Sequence, residues 1–167
     1  MKAKTKFMTN KKYGNIEYLL SDLAVKNVHK LMFDDVWAWS GKYRTHDTNI
    51  GVPYSQIQTS VHNLLENYKF QFEDILNSDD KTKDEFCVRF HYDLVAIHPF
   101  ANGNGRHSRQ MADLLLQILD RPSFTWNERE IIRNTDARRE YIEAIEYAQN
   151  YETKGNMSKL LIVAWKI

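Results

Sequence analysis

The chain has almost nothing with which to staple or anchor itself. A single cysteine, Cys87, stands among 167 residues, so an internal disulfide is excluded and no cysteine-based zinc spacing can be assembled. Its neighbours put it on a helix, where it reads as buried filler rather than a reactive thiol. Net charge is equally scarce: 23 Lys and Arg against 22 Asp and Glu leave a formal +1. Such a balance gives no global footprint for nucleic acid or for an anionic membrane. Long apolar runs are missing as well. None approaches the ~18 residues of a membrane span. The basic residues 1–12 lead into no signal-peptide core, because Glu17 and Asp22 interrupt the apolar stretch that follows. These absences set the expectation of a cytoplasmic protein with neither nucleic acid nor membrane as partner. Repeats, linkers and low-complexity tracts are also missing, so the chain reads as one domain over residues 16–167 behind a flexible arm, residues 1–15.

What is present is core material arranged at helical spacing. Apolar residues make up 43% of the chain and aromatic ones 13%, enough for one packed domain of this length. Leu23, Val28, Leu31, Met32, Val36 and Trp39 predict a helix that starts from Ser21 or Asp22 and is ended by Gly41. Ile57, Val61, Leu64, Leu65, Tyr68 and Phe72 predict a second over residues 56–77. Thr82-Lys83-Asp84-Glu85 matches a capping box. The helix it opens carries the stripe Phe86, Phe90, Leu94 and Ile97. Met111, Leu114, Leu115 and Ile118 mark another, residues 128–149 a further one, and Met157, Leu160, Leu161 and Ala164 the last, after a loop over residues 151–156. Residues 45–55 break this pattern. Ile50, Val52 and Tyr54 bracket Gly51 and Pro53, which fits either a small hairpin or an ordinary surface loop.

The chemistry concentrates in one corner. An apolar helix stops at His98-Pro99, since a residue before proline is pushed out of the α region. Phe100-Ala101-Asn102-Gly103-Asn104-Gly105 then makes a tight turn into the next helix. Gly103 and Gly105 permit positive φ and close approach of backbone to a ligand. Successive amide groups feeding a helix N-terminus form an anion-binding concavity. Arg106 and Arg109, three apart, share one helix face. His98 can take a proton near neutral pH. Phe100 reads as a hydrophobic plug, and His107 and Ser108 as packing.

Residues 98–109 resemble the signature of the Fic/Doc family: histidine-proline-phenylalanine, an acidic residue, Gly-Asn-Gly-Arg and a second arginine three further on. In detail the chain is similar to the subgroup called mobile mystery protein B. Two weaker landmarks agree. Residues 33–44, with Trp37, Trp39, Gly41 and Arg44, are similar to an earlier family segment, and Tyr141-Ile142-Glu143-Ala144-Ile145 to a late one. The resemblance implies an all-α, Fic-type helical bundle with a small β-hairpin flap. In that family the flap holds a target segment by strand addition, which points to Ile50, Gly51 and Val52.

The implied activity is transfer of AMP from ATP to a Ser, Thr or Tyr hydroxyl of a target protein. His98 would be the general base, Gly103, Asn104 and Gly105 the phosphate cradle, and Arg106 and Arg109 the clamp on phosphate oxygens. Tyr141 is a candidate nucleotide contact. The chain departs from the family where an acidic residue would hold Mg²⁺: it has Asn102, whose amide oxygen can ligate but contributes no charge. Transfer with a weaker metal site and a module that merely binds nucleotide or a partner both follow from that. Doc-like phosphate transfer is a third reading, opposed by Gly105, where Doc proteins have lysine. A nuclease built on His91, His98 and His107 is disfavoured by their spacing. The family's inhibitory Ser/Thr-x-x-x-Glu-Gly/Asn helix has no match, so an inhibitory glutamate would come from another chain, such as an antitoxin.

Overall fold

A computed structural model describes residues 11–126, 135–150 and 156–165. Among these, every regular element is helical and none is a strand. A 3-10 turn, Lys11–Gly14, leads to α1 (Ile16–Leu19) and α2 (Asp22–Phe33). After a long irregular connection and a second 3-10 turn, Tyr54–Gln56, come α3 (Ile57–Leu76), α4 (Asp80–Ile97) and α5 (Asn104–Ile118). α6 (Thr135–Gln149) and α7 (Ser158–Trp165) complete the described chain. Of the helix expected over residues 128–149, residues 128–134 lie outside the described residues, as does most of the loop expected over 151–156.

α4 and α5 form the centre. Met111 through Leu116 of α5 are all buried, Asp113 included. Such a helix is apolar on nearly every side because other elements surround it. α4 packs along it through Phe90, Leu94 and Ile97, and α3 closes the other side of α4 with Val61, Leu65, Tyr68 and Phe72. Cys87 is fully buried, and burial pushes its thiol pKa up, as inert filler requires.

Four local expectations need correction. The arm is not loose over its last residues, because Tyr13 is buried in the core. α2 ends at Phe33 instead of running to Trp39: Asp34 and Asp35 put negative charge at the negative end of the helix dipole. Its buried face is Ala24, Val25, Val28, His29 and Phe33, while Leu23 and Val36 are exposed. The N-cap of α4 is Asp79, whose carboxylate accepts from Thr82 N at 2.7 Å, so Thr82 lies inside the first turn. Residues 45–53 form no hairpin. Their backbone is spent elsewhere: Val52 N–H donates to Ile97 O at 3.2 Å, and Val52 O accepts from Arg44 Nη2.

Candidate functional site

The corner between α4 and α5 is held by side chains that bind backbone. Asn104 is buried, and its amide accepts from Phe100 N (2.9 Å) and donates to Phe100 O (2.8 Å). Phe100, fully buried, stacks on His29 with ring centroids 3.7 Å apart. His29 in turn accepts the Gly41 N–H at Nδ1 (2.9 Å) and lies 3.1 Å from Asn102 O through Nε2. Nδ1 must therefore be unprotonated and Nε2 must donate. A second proton would set two donors face to face, and burial, with the Arg106 charge nearby, holds the His29 pKa down to about 4 against the hydrogen bond to Asn102 O.

The glycines divide the work differently from the sequence expectation. Gly103 has φ +81°, and a Cβ there would come within 2.8 Å of the Phe33 ring and 3.1 Å of Trp37. Only glycine fits. Gly105 lies inside the first turn of α5 without positive φ; an added Cβ would sit 3.4 Å from Tyr141 Oη and 3.7 Å from Arg109 Nη1. Its contribution is open space beside the arginines. The Asn104 side chain is a clamp on Phe100, which leaves only its backbone N–H for a cradle. α5 begins with no side-chain cap, so its first amides are unclaimed by any cap.

Above them lie the two guanidinium groups. Arg106 is exposed and rests over Phe33 (4.7 Å to the ring centroid) and Trp37 (5.7 Å). Trp37 is itself stacked on Trp39 at 4.7 Å and 11°, the packing role expected of both. Arg109 is buried, 6% exposed, over the Tyr141 ring at 5.1 Å, with Nε lacking any hydrogen-bond partner. Burial and the neighbouring Arg109 charge both lower the Arg106 pKa. Among the described residues neither arginine pairs with a carboxylate. Two adjacent cations, one buried, without an anion between them is an arrangement that an incoming polyanion would stabilise.

Tyr141 is buried beneath Arg109, its hydroxyl 3.1 Å from His91 Nε2. Buried at 7% exposure under the Arg109 guanidinium, it lies at the arginine end of the corner. His107 is buried with Nε2 2.9 Å from Val25 O, and Ser108 donates to Gly105 O at 3.2 Å, the packing roles expected. His91, His98 and His107 form no metal cluster: no group of three or more His, Cys, Asp or Glu suited to an ion occurs among the described residues.

His98 ends α4 in the left-handed region, φ 55° and ψ 56°, instead of the extended conformation expected before proline. A non-glycine residue held there carries ~1–3 kcal/mol of strain, retained only when its surroundings overdetermine it. Those surroundings include Arg44, which the sequence reading left as part of a structural landmark. The Arg44 side chain is buried and donates from Nε to His98 O at 2.8 Å. The His98 ring is half-buried with Nδ1 sealed from solvent and unpartnered, which leaves Nε2 on the accessible edge. Burial and the Arg44 charge lower the His98 pKa, so the imidazole is neutral at pH 7. Gly51 packs against it: at φ +95°, a Cβ there would fall 2.5 Å from His98 Cβ. Ile50 beside it is exposed.

The residues do not build a resident Mg²⁺ site. Asn102 is exposed, but its Oδ1 already accepts from Gly103 N at 2.7 Å, and no acidic cluster accompanies it among the described residues.

Comparison with known proteins bears on this corner. Protein adenylyltransferase VbhT from Bartonella schoenbuchensis is 33% identical over 52% of this chain, which spans only 19% of VbhT. Two solved structures share the fold. The N-terminal Fic domain of a VirB-translocated Bep effector from Bartonella quintana, with bound ADP, superposes with a TM-score of 0.64 at 18% identity, covering 96% of this chain and 79% of that one. BepC from Bartonella tribocorum, with bound AMPPNP, gives 0.66 at 16%, covering 99% and 86%. A family model described as Fic/DOC family matches residues 19–116, more than half of the chain and the whole of the corner, and on that ground the chain belongs to the Fic/DOC family.

Proposed function

We propose that the protein moves AMP from ATP to a Ser, Thr or Tyr hydroxyl of a target protein, with His98 as general base. The observation that carries this is the Arg106–Arg109 couple, without a carboxylate partner among the described residues, at a helix N-terminus with no side-chain cap, in the same α4–α5 corner as a half-buried, neutral imidazole. His98 Nε2 takes the hydroxyl proton, which requires the proton on Nδ1. The oxygen forms a bond to the α-phosphorus, and the α–β bridging bond breaks to release pyrophosphate. Arg109, Arg106 and the first amides of α5 hold the oxyanions whose charge grows in the transition state. Tyr141 braces Arg109 from below. The relatives' names and ligands support the reading: VbhT is a protein adenylyltransferase, and the two Bartonella structures hold ADP and AMPPNP.

The exposed Ile50 and the backbone of Gly51, with Val52 beside them, are the proposed docking edge for the target. Val52 has both its backbone groups engaged, so strand addition would use the outer side of the loop. With no chelating carboxylate cluster among the described residues, Mg²⁺ would arrive with the triphosphate. An antitoxin-like partner that brings a glutamate to Arg109 remains a further proposal, since the described residues offer that arginine none.

Mass spectrometry of lysate proteins after incubation with ATP tests the assignment. Wild type should add an AMP mass to hydroxyl side chains, and His98→Ala should lower the rate ~10²–10⁴-fold. The acid limb of the wild-type rate should lie below the ordinary histidine pKa of about 6.5, as burial beside Arg44 requires. Equal labelling by wild type and His98→Ala would remove the general base. A second reading, nucleotide binding without transfer, is favoured by the engaged Asn102 oxygen. It predicts ATP binding with no labelled protein. Asn102→Asp should lower the Mg²⁺ concentration needed for labelling; no change would free this position of any metal role.

A further inference from the structure

The Arg44 guanidinium is the most heavily committed side chain near the corner, and none of its contacts is to a nucleotide-facing group. Nε donates to His98 O (2.8 Å), Nη1 to His46 O (2.9 Å) and Nη2 to Val52 O, while its own N–H donates to Pro99 O (3.0 Å). Its side chain is fully buried, with the Asp47 carboxylate 3.8 Å from Nη1. Three carbonyls, one at the end of α4 and two in the 45–52 loop, thus converge on one planar fork. One of them belongs to the strained residue that ends α4, where a cation also complements the helix dipole. The other two belong to the loop whose Gly51 lies against His98. A lysine, whose donors all sit on one nitrogen, lacks the planar fork that here serves three separately placed acceptors.

We propose that Arg44 is the positioning residue of the site, locking the His98 backbone to the 45–52 loop so that general base and acceptor-holding loop are set as one unit. This rests on the transfer reading above. Misplacing a reacting group by about 1 Å can cost ~10²-fold in rate. Removing Arg44 should therefore depress transfer while leaving the phosphate corner, built by α5 and α2, intact.

Arg44→Met and Arg44→Lys in the full chain, assayed below their unfolding temperatures with labelled ATP and lysate, test this. The expected result is a ~10²-fold slower transfer with affinity for a fluorescent ATP analogue unchanged, a split that general loosening would not give. In Arg44→Met the His98 imidazole, followed by NMR, should titrate at higher pH. Arg44 is the charged side chain acting on it, and Asp47 faces the guanidinium rather than the ring. Hydrogen exchange at the Val52 amide should speed up. Should Arg44→Met fail to fold, Gly51→Ala breaks the same junction from the loop side and should give the same split. Unchanged transfer in the folded variants, or a loss of ATP affinity in step with rate, overturns the proposal. If wild type labels nothing, the transfer reading fails by itself, while His98 titration and Val52 exchange still judge the role of Arg44.

Discussion

Arg109 shows at the scale of one residue how function is held against stability. A guanidinium 6% exposed, with Nε unpartnered and another arginine beside it, is a buried donor left unsatisfied, at a cost of ~1–3 kcal/mol. Arg109→Met removes that donor, keeps the volume and places sulfur over the Tyr141 ring. The expected outcome is a gain of about 1 kcal/mol in unfolding free energy, with binding of an ATP analogue lost. Chemical denaturation beside a binding titration checks both. A variant that lost stability and kept binding would mean that the charge is already satisfied without a ligand. His29 and Asn104 show the opposite economy, with every buried polar group matched. Neither role was legible in the sequence: a histidine at core spacing and an asparagine in a Gly-Asn-Gly turn look ordinary until their partners, 12 to 73 residues away for His29, are in place.

At the scale of elements, the corner works because it joins two helices that cannot move independently. α4 and α5 pack along their lengths, so the turn between them inherits their rigidity. The Asn104–Phe100 clamp sets the turn's shape. Asn104→Ala strands a buried N–H and a buried C=O, and should cost about 2–6 kcal/mol, at ~1–3 kcal/mol for each group left unsatisfied. Equilibrium unfolding of the purified variant would measure it; a loss below about 1 kcal/mol would mean that the glycines and Phe100 shape the turn without the clamp. α3, α4 and α5 were readable from apolar spacing because their stripes are long and face one core. The end of α2 and the course of residues 45–53 were not. Past the acidic pair Asp34-Asp35 that closes α2, the chain is directed by His29 and Arg44 reaching across the fold, contacts for which local sequence carries no period.

For the whole molecule, three buried histidines set the acid limit. Burial holds His29 at about 4 and His91 and His107 at about 3, against about 6.5 in the unfolded chain. The unfolded state therefore binds more protons below pH 6.5. Stability is complete above that value and falls as pH drops through it toward the folded values. Each histidine removes roughly 2 kcal/mol by pH 5, about 6 kcal/mol together, set against a total of ~5–15 kcal/mol for a domain. Circular dichroism should show acid unfolding centred near pH 5. Replacing His107 by Gln, which can still reach Val25 O, should shift it to lower pH. A wild-type chain fully folded at pH 4 would refute the shared cause.

What the sequence by itself determined was the helical class, the family signature between His98 and Arg109, and the burial of Cys87. These rest on short-range facts: spacing, turn chemistry and residue type. What only the tertiary structure decided was which groups are free and which are spent. It put the Asn104 amide on Phe100, Asn102 Oδ1 on Gly103 N–H, and the Arg44 fork on carbonyls of His98 and the 45–52 loop, while it left Arg109 without a carboxylate among the described residues. The reason is physical. A residue's chemical potential for binding depends on the partners that folding brings to it, and those partners lie far along the chain.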